Sequence, residues 1–154
     1  YAVEKMCMRM KEIGITDAIV NAGGSSIVAL NDDKNIKWGI IVEGNGKDLF
    51  DINIRNESYS TSDQFNTYLE IDGKKYEHIL SARTGYPSQN RQIGIVTGNA
   101  FVGDIISTGL YNQTPEEFLR IMEELSSEMK IEGFLMDRNG KIFYSSGFLE
   151  YIEK

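Results

Sequence analysis

Asp72-Gly73 constrains the folding of this chain more than any other pair of residues. The dipeptide suits the two positive-φ positions of a tight hairpin turn, and it stands between two strand-like runs, Thr67–Ile71 and Lys75–Leu80. The two runs are therefore expected to pair antiparallel. The returning run carries His78, the only histidine of the chain, just before a loop rich in small and basic residues. Imidazole is the side chain that ordinarily exchanges a proton near neutrality, so a histidine at a strand-to-loop edge suits general acid–base work. The plainer alternative is a surface or satisfied core histidine, because nothing local names a base and nucleophile pair.

Other turn signals divide the rest of the chain. Asn139-Gly140 separates Phe134–Asp137 from Lys141–Ser145 as a second hairpin. Gly23-Gly24 lies between the apolar runs Ala18–Asn21 and Ile27–Leu30, where paired glycines permit a plain turn or a close backbone approach to a ligand. Lys37–Glu43, Leu49–Ile54 and Ile93–Thr97 also read as strands, with Asn31–Asn35 a polar turn, Gly44–Asp48 a loop and Asn56–Ser62 a polar cluster.

Three stretches have helical spacing instead. Val3, Cys7, Met10 and Ile13 recur along Tyr1–Ile13, and Gly14 supplies the stop. Asn99 precedes Ala100–Leu110 as an N-cap. Thr114-Pro115-Glu116-Glu117 reads as a capping box with Pro at N1, and Phe118, Ile121, Met122 and Leu125 carry an apolar stripe to about Met129. A short helix is expected within Gly147–Lys154. The fold class is α+β, with antiparallel strands predominating and at least three packed helices.

A length of 154 residues suffices for one domain with a real core. The net charge of −7 argues against nucleic acid as the main partner, since phosphate repels an acidic surface. The one cysteine, Cys7, cannot form an internal disulfide and sits on the apolar side of the first helix. No apolar run is long enough to span a bilayer.

Asp104 and Thr108 are four residues apart on the second helix and so share a face. A carboxylate and a hydroxyl there offer two hard oxygen ligands, with Ser107 as an auxiliary; ordinary helix polarity is the alternative. Arg83-Thr84-Gly85 could present a guanidinium and backbone amides to phosphate oxygens, or simply be a solvated loop.

Four blocks, in order, resemble one known family. His78-Ile79-Leu80-Ser81-Ala82-Arg83-Thr84-Gly85 resembles the H-I-x-[DN]-P-x-T-G signature of the ApbE-type flavin transferases. Asn21-Ala22-Gly23-Gly24-Ser25 is similar to that family's N-x-G-G-[DS]. Thr61-Ser62-Asp63, with Phe65 and Tyr68, is similar to its T-S-G-x-[YF], and Gly103–Leu110 to its A-D-x-x-[ST]-T-[AG]-L metal helix. This chain departs from the patterns at Asp63 (family Gly), Ser81 (acid or amide) and Ala82 (Pro). Tyr1-Ala2-Val3-Glu4 is similar to the second half of a mid-chain K-G-[YW]-[AG]-[VI]-D segment.

The resemblance implies an ApbE-like, T-fold-like architecture, with residues 1–154 its C-terminal part. It also implies magnesium-dependent transfer of FMN from FAD onto a threonine or serine of an acceptor flavoprotein. Asp104 and Thr108 are then the expected metal ligands, and His78 the catalytic residue. Thr61, Ser62, His78, Ile79, Arg83, Thr84 and Gly85 are expected at the flavin nucleotide. Family members are commonly bacterial, extracytoplasmic and lipid-anchored; a homodimer is one option, and the sequence carries no signal for oligomeric state. Two readings stay open beside transfer: hydrolysis of the FAD pyrophosphate to FMN and AMP, and a non-catalytic flavin-nucleotide-binding module.

Overall fold

The computed structural model describes residues 1–32, 34, 37–65, 67–153. Asp33 and Asn35, within the expected Asn31–Asn35 turn, lie outside the described residues, as does Lys154.

Six strands form the central sheet: β1 (Ala18–Ala22), β2 (Ser26–Leu30), β5 (Ser58–Asp63), β8 (Gln92–Thr97), β9 (Ile131–Met136) and β10 (Ile142–Tyr144), side by side in that order. Every neighbouring pair is antiparallel. Two hairpins stand apart from this sheet: β3 (Trp38–Gly44) with β4 (Lys47–Ile54), and β6 (Tyr68–Ile71) with β7 (Lys74–Glu77). The helices are α1 (Ala2–Glu12), α2 (Ala100–Leu110) and α3 (Pro115–Glu128), and a 3-10 turn at Phe148–Glu150 is the expected terminal helix in short form.

Alternation along the central strands produces three layers. One face of the sheet buries Tyr59, Val96 and Phe134 against Ile40, Val42, Ile52 and Ile54 of the β3–β4 hairpin and Phe148 near the C-terminus. The opposite face buries Ile93, Ile95, Ile131 and Leu135 under Leu110 of α2 and Phe118 and Met122 of α3. Val3 and Cys7 of α1 extend this layer over Val28 and Leu30. Gly94 makes one layer fit: a Cβ there would lie 2.8 Å from the Tyr59 hydroxyl, so its bare backbone leaves room for the ring.

Local chemistry accounts for most element ends. Gly14 has φ +86° after α1, as a helix stop requires. Asn99 Oδ1 accepts from the amides of Phe101 and Val102 at 3.0 and 3.1 Å. Thr114 Oγ1 accepts from Glu117 N, but the capping box is only half made, because the Glu117 carboxylate pairs with Arg120 at 2.7 Å. Asp72 and Gly73 both take positive φ, 51° and 73°, in the expected turn.

Three local expectations change. Residues 58–62, within the expected Asn56–Ser62 polar cluster, belong with Asp63 to the central strand β5. Its hydroxyls are spent on neighbouring carbonyls: Ser58 Oγ donates to Thr97 O at 2.9 Å and Thr61 Oγ1 to Ile93 O at 2.9 Å. Gly44–Asp48 is a tight turn at Asn45-Gly46 rather than a loop. The returning strand of the hairpin ends at Glu77, so His78 stands one residue beyond it.

Candidate functional site

A cleft of roughly 880 Å³ opens where the ends of several strands meet. The β1–β2 turn at Gly23-Gly24 forms one wall, with Asn21 Oδ1 accepting from Gly24 N at 2.7 Å. Thr61, Ser62 and Asp63 at the end of β5 line it, as do Asp104 and Thr108 from α2. His78, Ile79 and Leu80 close it from the hairpin exit. Of the residues expected at a site, Thr61, Ser62, His78, Ile79, Asp104 and Thr108 are thus brought together.

The second helix contributes an ordered chain of hydroxyls. Ser107 Oγ donates to Asp104 O at 3.1 Å. Its single proton is then used, so in the 3.1 Å contact between Ser62 and Ser107 the donor is Ser62. Thr108 in turn donates across 3.4 Å to Ser62, which leaves the Thr108 oxygen lone pairs for the cleft. Ser107 itself is fully buried and outside the cleft lining, so it serves to hold Ser62 and not as an auxiliary ligand.

The oxygen donors suit a hard cation such as magnesium, which takes few protein ligands and keeps several waters. No group of three His, Cys, Asp or Glu residues gathers anywhere among the described residues. A cation held by Asp104 and Thr108 would therefore complete its shell with water or substrate oxygens.

His78 is exposed, and its Nδ1 lies 3.0 Å from Thr67 O. A carbonyl only accepts, so Nδ1 donates, and Nε2 has no hydrogen-bond partner among the described residues. Ile79 beside it is buried in the helix-side core and pins the backbone at this point. Asp63 Oδ1 is drawn into a local turn by Phe65 N at 2.8 Å.

Arg83, Thr84 and Gly85 do not line the cleft. They form a turn in which Gly85 N donates to Ser81 O at 2.8 Å, and Arg83 lies near enough to α3 to lower the pKa of the Glu117 carboxyl, after the larger effect of Arg120.

Sequence reasoning missed Glu77. It is buried, and its Oε2 lies 2.7 Å from the hydroxyl of Tyr111, the residue that ends α2. Burial raises the Glu77 pKa above the usual carboxylate range, with Tyr111 and His78 acting in the opposite sense and Asp63 in the same sense.

A three-layer α+β fold with a polar cleft at its strand ends, faced by one histidine and by an oxygen-bearing helix, defines the class. The family model described as ApbE family matches residues 1–132, and the chain belongs to that family. It is 25% identical over 132 residues to the FAD:protein FMN transferase of Klebsiella pneumoniae (strain 342), covering 80% of this chain and 37% of that protein. It is 26% identical over 125 residues to the protein of the same name from Escherichia coli (strain K12), covering 76% and 35%. The chain therefore spans little more than a third of the length of these two relatives. Among solved structures, the ApbE protein from Thermotoga maritima superposes with a TM-score of 0.88 at 20% identity, over all of this chain and 51% of that one. The flavin transferase ApbE from Vibrio cholerae gives 0.75 at 20% identity, over 97% and 48%. No helix among the described residues is long and apolar enough to cross a membrane.

Proposed function

We propose that the protein transfers FMN from FAD to a threonine or serine hydroxyl of an acceptor flavoprotein, with magnesium as cofactor and, like the family pattern, outside the cytoplasmic membrane. The observation that carries this reading is the shared cleft: His78, with Nε2 free, faces the same space as Asp104 and Thr108. The names of the sequence relatives support the reaction class.

Asp104 and Thr108 would hold the magnesium ion. When bound, it supplies positive charge against the FAD pyrophosphate, whose own charge otherwise repels a nucleophile. Ser62, fixed by Ser107 and Thr108, and the Gly23-Gly24 backbone would border the phosphates, and Ile79 lines the wall beside His78. Arg83, Thr84 and Gly85, outside the cleft, are left out of this contact set. His78 Nε2 takes the proton of the incoming hydroxyl. The hydroxyl oxygen bonds to the FMN phosphorus, the bond from that phosphorus to the bridging oxygen breaks, and AMP leaves with the bridging oxygen. Positioning and charge stabilisation dominate such a step.

The test is His78→Ala in the intact protein, assayed with FAD, magnesium and an acceptor flavoprotein. Loss of a general base should lower transfer by roughly a hundredfold or more. Unchanged transfer would remove His78 from the mechanism. Free FMN and AMP released by the wild type without acceptor would move the reading to hydrolysis. Tight FAD binding without turnover at any magnesium level would make the protein a flavin-nucleotide-binding module.

A further inference from the structure

We infer that Glu77 is held as a neutral carboxylic acid and, through Tyr111, latches the residue before His78 to the end of α2, which makes Glu77 a positioning residue for His78. Its part in flavin transfer rests on the function proposed above; its protonation does not.

Tyr111 Oη has three oxygen neighbours: Glu77 Oε2 at 2.7 Å, Asn90 O at 2.8 Å and Arg91 O at 3.3 Å. The hydroxyl owns one proton, and both backbone carbonyls can only accept. With Glu77 ionised, all three neighbours are acceptors, and one of the two short separations would be a contact between lone pairs. A single proton shared between two acceptors gives longer, bent bonds than these. With Glu77 protonated, its O–H donates to Tyr111, and Tyr111 donates to Asn90 O. Every short separation is then a hydrogen bond.

The surroundings agree. Glu77 is 8% exposed and makes no ion pair among the described residues. Tyr68 lies opposite it in the hairpin register, and the Lys75 ammonium sits over the Tyr68 ring at 4.0 Å instead of reaching the carboxyl. Lys74 and Arg91 border the same adjoining cavity. The Tyr111 hydroxyl, where it donates to Glu77, and His78 favour a negative charge on Glu77, whereas Asp63, from the end of β5, opposes one. Desolvation is the largest of these influences and favours the neutral form.

The latch has further hooks. Asn90 Nδ2 donates to Tyr111 O at 2.7 Å and to Gln113 O at 2.8 Å, and Ser88 Oγ donates to Tyr111 O at 3.1 Å. The whole segment from Glu77 to Asn90 is thus tied to the end of the helix that carries Asp104 and Thr108. Glu77 is the one tie that can be released by losing a proton, and it adjoins His78.

The sign of the pH effect follows. A carboxyl whose folded-state pKa is raised contributes stability that is complete below the ordinary glutamate range and is lost as pH rises through the raised value. Deprotonation turns the Tyr111 proton to the carboxylate, leaves Asn90 O against a lone pair of the Tyr111 hydroxyl, and loosens the hairpin exit.

The experiment uses the intact protein, wild type, Glu77→Gln and Glu77→Ala. Gln is the neutral isostere of the acid and donates to Tyr111 in the same way. The infrared difference between wild type and Glu77→Gln at neutral pH should contain the C=O stretch of a protonated carboxyl; a carboxylate band alone would overturn the protonation. The imidazole NMR signal of His78 is assigned by its loss in His78→Ala. In wild type its chemical shift should carry a pH-dependent component from Glu77 that is absent from Glu77→Gln; superimposable curves would overturn the positioning role. In FMN transfer, Glu77→Ala should lose at least about tenfold, the worth of a buried partner left unpaired, and Glu77→Gln should restore most of it. Glu77→Ala transferring as fast as wild type would also count against the latch. If the infrared and NMR results hold and the wild type transfers no FMN, the latch stands and the proposed reaction fails.

Discussion

Strand β8 is buried at all six of its residues, whereas β6, the outgoing strand of the Asp72-Gly73 hairpin, is exposed at all four. Both are antiparallel and both have sharp registers, but different forces set them. In β8, Ile93 and Ile95 point into the helix-side core, and Gly94 accommodates the rings of Tyr59 and Phe134 on the other face. A one-residue slip would exchange those faces. In the hairpin nothing comparable is buried, and the register depends on the turn and on cross-strand contacts such as the Lys75 ammonium over the Tyr68 ring.

The cleft is built across this difference. Its oxygen donors come from β5 and α2, which lie against β8. Its histidine comes from the end of the weakly buried hairpin. In the proposed reaction the deeply buried side would hold the charge and the hairpin side would move the proton, and the Glu77–Tyr111 contact joins the two.

Substitution on either side tests the contrast. Phe134→Ala removes a fully buried ring packed edge-on against Phe50 at 5.2 Å, and should cost about 3–5 kcal/mol in urea unfolding. Leu69→Ala in the hairpin removes a side chain that is 62% exposed, and should change stability by no more than about 0.5 kcal/mol. Comparable losses in the two variants would break the contrast.

Much of the fold was legible in the sequence. The helices declared themselves through apolar spacing and through Asn99 and Thr114, and two hairpins through Asp72-Gly73 and Asn139-Gly140. What failed was β5. Ser58-Tyr59-Ser60-Thr61-Ser62 reads as a polar loop, because nothing local says that its hydroxyls will find partners on other strands. Strand order was equally out of reach, since β2 pairs with β5 across the β3–β4 hairpin and β5 with β8 across the β6–β7 hairpin. For the site, the shared face of Asp104 and Thr108 followed from helical spacing alone. That Ser62 completes that edge, and that Tyr111 reaches Glu77, depends on contacts between residues 46 and 34 positions apart, which no local pattern encodes.

The central claim is that this cleft holds a pyrophosphate beside a magnesium ion. Calorimetric titration of FAD into the intact protein, with and without magnesium, for wild type and Asp104→Asn, tests it most directly. The account predicts that magnesium strengthens FAD binding to wild type and that Asp104→Asn removes the enhancement. Equal FAD affinity with and without magnesium, or an enhancement that survives in Asp104→Asn, would contradict it.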